Sequence, residues 1–155
     1  MCVIIDACVC ALVFSPPPHA DAVPLLDWIE QKDGRVVYGG RKFCDELFQN
    51  EHARRRIRAW KQAGRAIEFS ASDVDAEGAR VNALGVAKSN DTHVIALARV
   101  SGARTLYSSD TALHADFKNA TLVDDPRGRV YQRAEHAKEL LVHTPSCRMA
   151  TATRR

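Results

Sequence analysis

Asp6 closes the apolar run Met1-Cys2-Val3-Ile4-Ile5, and a carboxylate at that point constrains the fold more than any other residue. Such a run reads as a buried strand, and an ionised carboxylate beside a buried strand needs a cation or several hydrogen-bond donors. Three more acids, Glu46, Asp91 and Asp110, also fall where a strand or helix begins or ends. Asp110 follows the run Thr105-Leu106-Tyr107 after the pair Ser108-Ser109, so Asp6 and Asp110 both project from strand ends. At the carboxyl-end rim of a parallel sheet, residues far apart in the chain meet, and ligands of such folds bind there.

Strands and helices alternate along the rest of the chain. A strand over residues 2 to 6 leads into a short helix from Ala7 to Phe14, which stops before Ser15-Pro16-Pro17-Pro18 because prolines cannot continue it. Asp21 to Gln31 puts Val23, Leu26 and Ile29 on one helical face with Leu25 and Trp28 beside them, and Asp33-Gly34 ends that helix. Arg35 to Tyr38 reads as a strand, Gly39-Gly40 as a turn, and the helix after it carries Phe43, Leu47 and Phe48 with Glu46 between them. A helix from Glu51 to Gly64, a strand from Ala66 to Phe69 and a helix from Asp73 to Ala87 come next. Asn90-Asp91 opens the most regular helix, with Val94, Ile95, Leu97, Ala98 and Val100 facing inward and Ser101-Gly102 at its end. The Thr105 strand, a helix from Asp110 to Phe117, short strands at Leu122-Val123 and Val130-Tyr131, and a helix from Ala134 to Val142 complete the pattern. This alternation predicts an α/β three-layer sandwich with a central, mostly parallel β-sheet. One domain is expected over residues 1–142, with 143–155 as a flexible tail.

The 155 residues fit a single domain, and a hydrophobic content of 46% suffices for one core. A net charge of +3 remains after 19 acids are offset, so with four acids gathered in one place the remaining surface is basic. That balance suits an anionic partner, although basic charge also serves solubility. Cys2, Cys8, Cys10, Cys44 and Cys147 form an odd set without a CxxC pair, and read as reduced, mostly buried thiols. Met1 to Phe14 is apolar but lacks a basic leader and carries Asp6, so it reads as neither a signal peptide nor a membrane span. Nothing else approaches spanning length, and with reduced thiols the expected location is cytoplasmic.

Each acid alone has a plainer role. Asp91 and Asp110 can cap helices by accepting first-turn N–H groups, and Glu46 can pair with Lys42 one turn earlier. Asp45 competes with Glu46 as the acid of that helix. Taken together, the four acids supply hard oxygen donors suited to Mg²⁺ or Mn²⁺, and without a cation their like charges repel. Such an ion holds an attacking water, orients a phosphate and stabilises the leaving oxygen, so no serine, cysteine or histidine nucleophile is needed.

A strand ending in Asp6, the step Glu46-Leu47, the segment Asn90-Asp91-Thr92-His93-Val94-Ile95-Ala96-Leu97-Ala98 and the segment Thr105-Leu106-Tyr107-Ser108-Ser109-Asp110 resemble, in this order, the PIN domain family over residues 1 to 125. That resemblance implies a metal-dependent endoribonuclease that hydrolyses single-stranded RNA with Mg²⁺ or Mn²⁺, leaving 5′-phosphate and 3′-hydroxyl ends. It further implies Asp6, Glu46, Asp91 and Asp110 as catalytic metal ligands, Asp116 as a fifth acid, and Ser108 as the hydroxyl that supports the cluster. Many members are toxins of toxin–antitoxin pairs and many form homodimers, so an antitoxin protein and a second copy of the chain are the implied protein partners. Cys8 departs from the family pattern, which has Ser, Thr or Asn two positions after the first Asp. A different class of function is a PIN-fold module that keeps the acids but binds RNA or protein without cleaving. A phosphoacceptor receiver domain also clusters strand-end acids, but this chain lacks its early acid pair and its late strand-end lysine.

Arg54, Arg58, Lys61 and Arg65 line one stripe of the Glu51 to Gly64 helix and can track an RNA backbone without reading bases. The alternative is a solvated helix face, and Arg55 and Arg56 widen the charge beyond one stripe. Aromatic residues, at 6%, are too few to argue for base stacking. His93 and His114 lie near Asp91 and Asp110 in sequence and read as incidental neighbours, and Cys8-x-Cys10 does not make a zinc site.

Overall fold

The computed structural model describes residues 1–142 and 144–148. Its strands are β1 (Cys2–Ile5), β2 (Arg35–Gly39), β3 (Ala66–Phe69), β4 (Thr105–Tyr107) and β5 (Arg129–Tyr131). They form one five-stranded sheet, all parallel, in the order β3-β2-β1-β4-β5. β1 is buried at every position, as a parallel strand covered by helices on both faces must be. Val3 lies opposite Val36 on one side and Thr105 on the other, which fixes the register of the central three strands.

The helices are α1 (Cys10–Phe14), reached through a 3-10 turn at Ala7–Val9, α2 (Val23–Gln31), α3 (Arg41–Leu47), α4 (Glu51–Gln62), α5 (Ala71–Leu84), α6 (Thr92–Ser101), α7 (Thr111–Phe117) and α8 (Ala137–Leu140). α6 is the most deeply buried, with Val94 through Ala98 almost wholly enclosed, and it packs against α5 and β2. α5 starts two residues earlier than its acids suggest because Ser70 caps it, the hydroxyl accepting from Asp73 N–H, and Gly85 ends it in the left-handed conformation at φ 67°. The chain runs outward from β1 through β2 to β3 and then crosses back, so that β4 enters beside β1 from the other side. Between β1 and β4 the connections leave in opposite directions, which makes the carboxyl ends of those two strands the topological switch point, where ligands of such folds bind.

Three expectations are corrected. Leu122 and Val123 are buried but lie in turns rather than in a strand. Both N–H groups donate to Asn119 O at 2.9 Å, so the backbone closes on itself while the side chains still reach the core. Residues 144–148 pack against the domain, whereas 143 and 149–155 of the expected tail lie outside the described residues. Thr144 is buried with its hydroxyl 3.1 Å from that of Thr105, and Arg148 N–H donates to Ser101 O at 2.8 Å. Cys2 and Cys147 are joined in a disulfide across 145 residues, with Cα atoms 5.5 Å apart, whereas Cys8, Cys10 and Cys44 are free. The cysteines are therefore not all thiols, and sequence spacing cannot reveal a pairing made by tertiary contact. No helix among the described residues is long and apolar enough to cross a membrane.

Gly40 sets the entry of α3, the helix that carries Glu46. Its backbone sits at φ 88° and ψ 146°, a region that side-chain-bearing residues avoid, and an added Cβ would lie 2.6 Å from Val74 Cγ1. Gly40→Ala is expected to destabilise the protein by about 1–3 kcal/mol, measured as a lower midpoint in urea unfolding; an unchanged midpoint would contradict this packing.

Candidate metal centre

Asp6 extends the central ladder by one residue, its N–H donating to Tyr107 O at 3.0 Å, and this places it at the carboxyl ends of β1 and β4. The residue is 4% exposed. Asp6 Oδ2 accepts the Ser108 hydroxyl at 2.8 Å and the Cys8 thiol at 3.1 Å, so the thiol supplies the hydrogen bond that a hydroxyl would supply from that position. Ser108 Oγ in turn accepts the Asp110 N–H at 3.1 Å. The Ser108 carbonyl, which can only accept, takes a hydrogen bond from His114 Nε2 at 2.5 Å, so that ring nitrogen carries the proton. Ser108 thus ties the end of β1 to the end of β4.

The two helix-opening aspartates behave differently. Asp110 caps α7, with Oδ1 accepting from Ala112 N–H at 2.9 Å and Leu113 N–H at 3.2 Å. Asp91 stands at the start of α6 and makes no capping bond. Its carboxyl is pushed up from 3.8 to about 6, first by burial, then by a hydrogen bond with Asp110, and then by the negative charges of Asp6, Asp110 and Glu46. Beyond burial, the perturbation reflects the nearness of Asp110, Asp6 and Glu46, which come from separate parts of the chain.

Glu46 completes the group from α3. Its expected partner Lys42 donates instead to Asn90 O at 3.2 Å, and Glu46 Oε2 lies 3.1 Å from His93 Nε2. Asp45, the competing acid, is exposed, and the four that converge are Asp6, Glu46, Asp91 and Asp110. Ligand atoms of Glu46, Asp91 and His93 all lie within 4.8 Å of one another. The His93 side chain is 10% exposed, its proton affinity is lowered chiefly by burial, and its Nδ1 is buried with no hydrogen-bond partner among the described residues. His93 was legible only as a neighbour of Asp91 in the chain; its contact with Glu46 comes from the packing of α3 on α6.

Asp116, the expected fifth acid, lies beneath the loop that leads into α6. It is 1% exposed, and its two oxygens accept the N–H groups of Lys88 and Ser89, each at 2.8 Å. These bonds hold the loop that leads into α6 and so help to place Asp91. The basic stripe divides as well. Arg54 and Arg58 are exposed, with no acid in ion-pair range among the described residues, whereas Lys61 pairs with Glu68 and Arg65 donates to the carbonyls of Ile29 and Lys32 at the end of α2.

The donor set fits a divalent cation. Glu46 and Asp91 offer carboxylate oxygens, Asp6 and Asp110 add negative charge beside them, and His93 offers a ring nitrogen within 4.8 Å of the Glu46 and Asp91 oxygens. No family model, curated protein or solved structure matches this chain. The class defined by fold and site is therefore a parallel α/β domain with a carboxylate and imidazole cluster at its topological switch point.

Because folded Asp91 holds its proton more tightly than an unfolded aspartate, metal-free stability is expected to fall as pH rises from 3.8 to about 6. A divalent ion favours the ionised form and reverses this loss. Calorimetry should therefore find a larger Mn²⁺-induced rise in Tm at about pH 7.5 than at about pH 5, with the difference reduced in Asp91→Asn. An equal rise at both pH values would contradict the crowding of Asp91.

Proposed function

We propose that this protein is a metal-dependent ribonuclease that hydrolyses phosphodiester bonds in single-stranded RNA. The observation that carries this reading is the convergence of Asp6, Glu46, Asp91 and Asp110, from four separate elements, at the carboxyl ends of β1 and β4. Their order along the chain is the order of the PIN domain motifs, which supports the same chemistry. A bound Mg²⁺ or Mn²⁺ would supply Lewis acidity at the scissile phosphate and lower the pKa of a water.

The protein's own groups divide the remaining work. Glu46 and Asp91 are the carboxylates with ligand atoms close enough to share an ion. Asp6, held by Ser108 and Cys8, and Asp110, held by the first turn of α7, are the fixed acids that orient the attacking water and accept its proton. The N-terminus of α6 opens at Asp91 and adds positive potential where a phosphate approaches. Arg54 and Arg58, exposed on the helix that follows Glu46, are the cations free to follow the strand backbone. Membership of a toxin–antitoxin pair belongs to the same proposal and is read from whether a small gene for an inhibitory partner adjoins this one.

With end-labelled single-stranded RNA and Mn²⁺ or Mg²⁺, cleavage is expected that EDTA abolishes and that Asp6→Asn or Glu46→Gln reduces by about a hundredfold or more. Intact RNA in every arm, with Mn²⁺ bound, would instead assign a non-cleaving binding module. A second measurement addresses the basic face. Arg54→Ala with Arg58→Ala should weaken RNA binding and make the plot of log affinity against log salt shallower by about 1.4, which is two phosphate contacts on a single strand; an unchanged slope would remove α4 from the RNA path.

A further inference from the structure

We infer that His93 contributes an imidazole nitrogen to the bound ion, so that the site selects a first-row transition-metal divalent cation over Mg²⁺. This rests on the metal-site reading above but not on RNA cleavage. The ring nitrogen belongs with the oxygens of Glu46 and Asp91 in one set of ligand atoms within 4.8 Å, a geometry that a single ion can span. The ring is 10% exposed and wedged against Phe43, with ring centroids 6.3 Å apart, so it cannot turn out to solvent without opening the contact between α3 and α6.

The nitrogen that faces Glu46 is Nε2, 3.1 Å from its Oε2, while Nδ1 is buried with no hydrogen-bond partner among the described residues. With two carboxylates and one imidazole, the donor set is borderline rather than hard. Mg²⁺ prefers oxygen and dehydrates reluctantly, whereas affinity for nitrogen donors rises from Mn²⁺ through Co²⁺.

The test uses the full-length, metal-free protein without RNA. Electron spin-echo measurements on the Mn²⁺-loaded protein should detect ¹⁴N coupling from a directly bound imidazole, absent from His93→Gln. Calorimetric titration should give Co²⁺ affinity above that for Mg²⁺, and His93→Ala should lose about ten- to hundredfold in Co²⁺ affinity with Mg²⁺ affinity nearly unchanged. Bound Mn²⁺ without nitrogen coupling in the unaltered protein overturns the inference, as does equal loss of Co²⁺ and Mg²⁺ affinity in the variants. The wild-type spectrum needs no substitution and so does not depend on the variants folding. RNA cleavage without nitrogen coupling would leave the nuclease reading standing and remove His93 from the ion; nitrogen coupling without cleavage would do the reverse.

Discussion

Like-charge crowding at the carboxyl ends of β1 and β4 is the constraint on which the rest of the site depends. Two unit charges 4 Å apart repel by about 1 kcal/mol in bulk water and about 4 kcal/mol at the effective dielectric of a protein surface. A hydrogen bond to a charged group returns only about 1.5–3 kcal/mol. The protein meets the crowding unevenly. Asp6 receives two side-chain donors and Asp110 two backbone donors, but Asp91 receives no capping bond and lies against both. Burial first, and then Asp110, Asp6 and Glu46, drive the Asp91 carboxyl up to about 6, and a cation would favour its ionisation.

Two buried polar residues of α7 hold this arrangement from behind. His114 fixes the Ser108 carbonyl, and through Ser108 the positions of Asp6 and Asp110. Asp116 fixes the backbone of Lys88 and Ser89, three and two residues ahead of Asp91. One short helix therefore supports the acids on both sides of the switch point, and those acids arrive from strands and helices that the sheet has already placed. This is why residues that touch no reacting atom can matter to the geometry as much as the carboxylates themselves.

The alternation of strands and helices was legible because period and punctuation agree along most of the chain. Apolar runs at Cys2–Ile5 and Thr105–Tyr107, triple proline after Phe14 and Gly102 after Ser101 each point to one local structure. Legibility failed where side-chain burial and backbone pairing parted company. Leu122 and Val123 are buried like strand residues, yet their N–H groups are used within a turn. It failed again at Cys147 and Thr144, in a segment expected as a flexible tail, where long-range contacts reach β1 and β4.

Sequence alone determined the α/β class, and it singled out Asp6, Glu46, Asp91 and Asp110, because a carboxylate at the end of an apolar run or the start of a helix is conspicuous whatever surrounds it. Tertiary structure alone decided how each acid is used. The all-parallel order β3-β2-β1-β4-β5 put the switch point between β1 and β4, gave Asp116 to a loop, and divided the cations of α4 into paired and free. It also brought His93 against Glu46 across two helices. Those outcomes depend on which donors lie within about 3 Å of each oxygen, and such distances are set by packing between elements far apart in the chain rather than by the residues on either side.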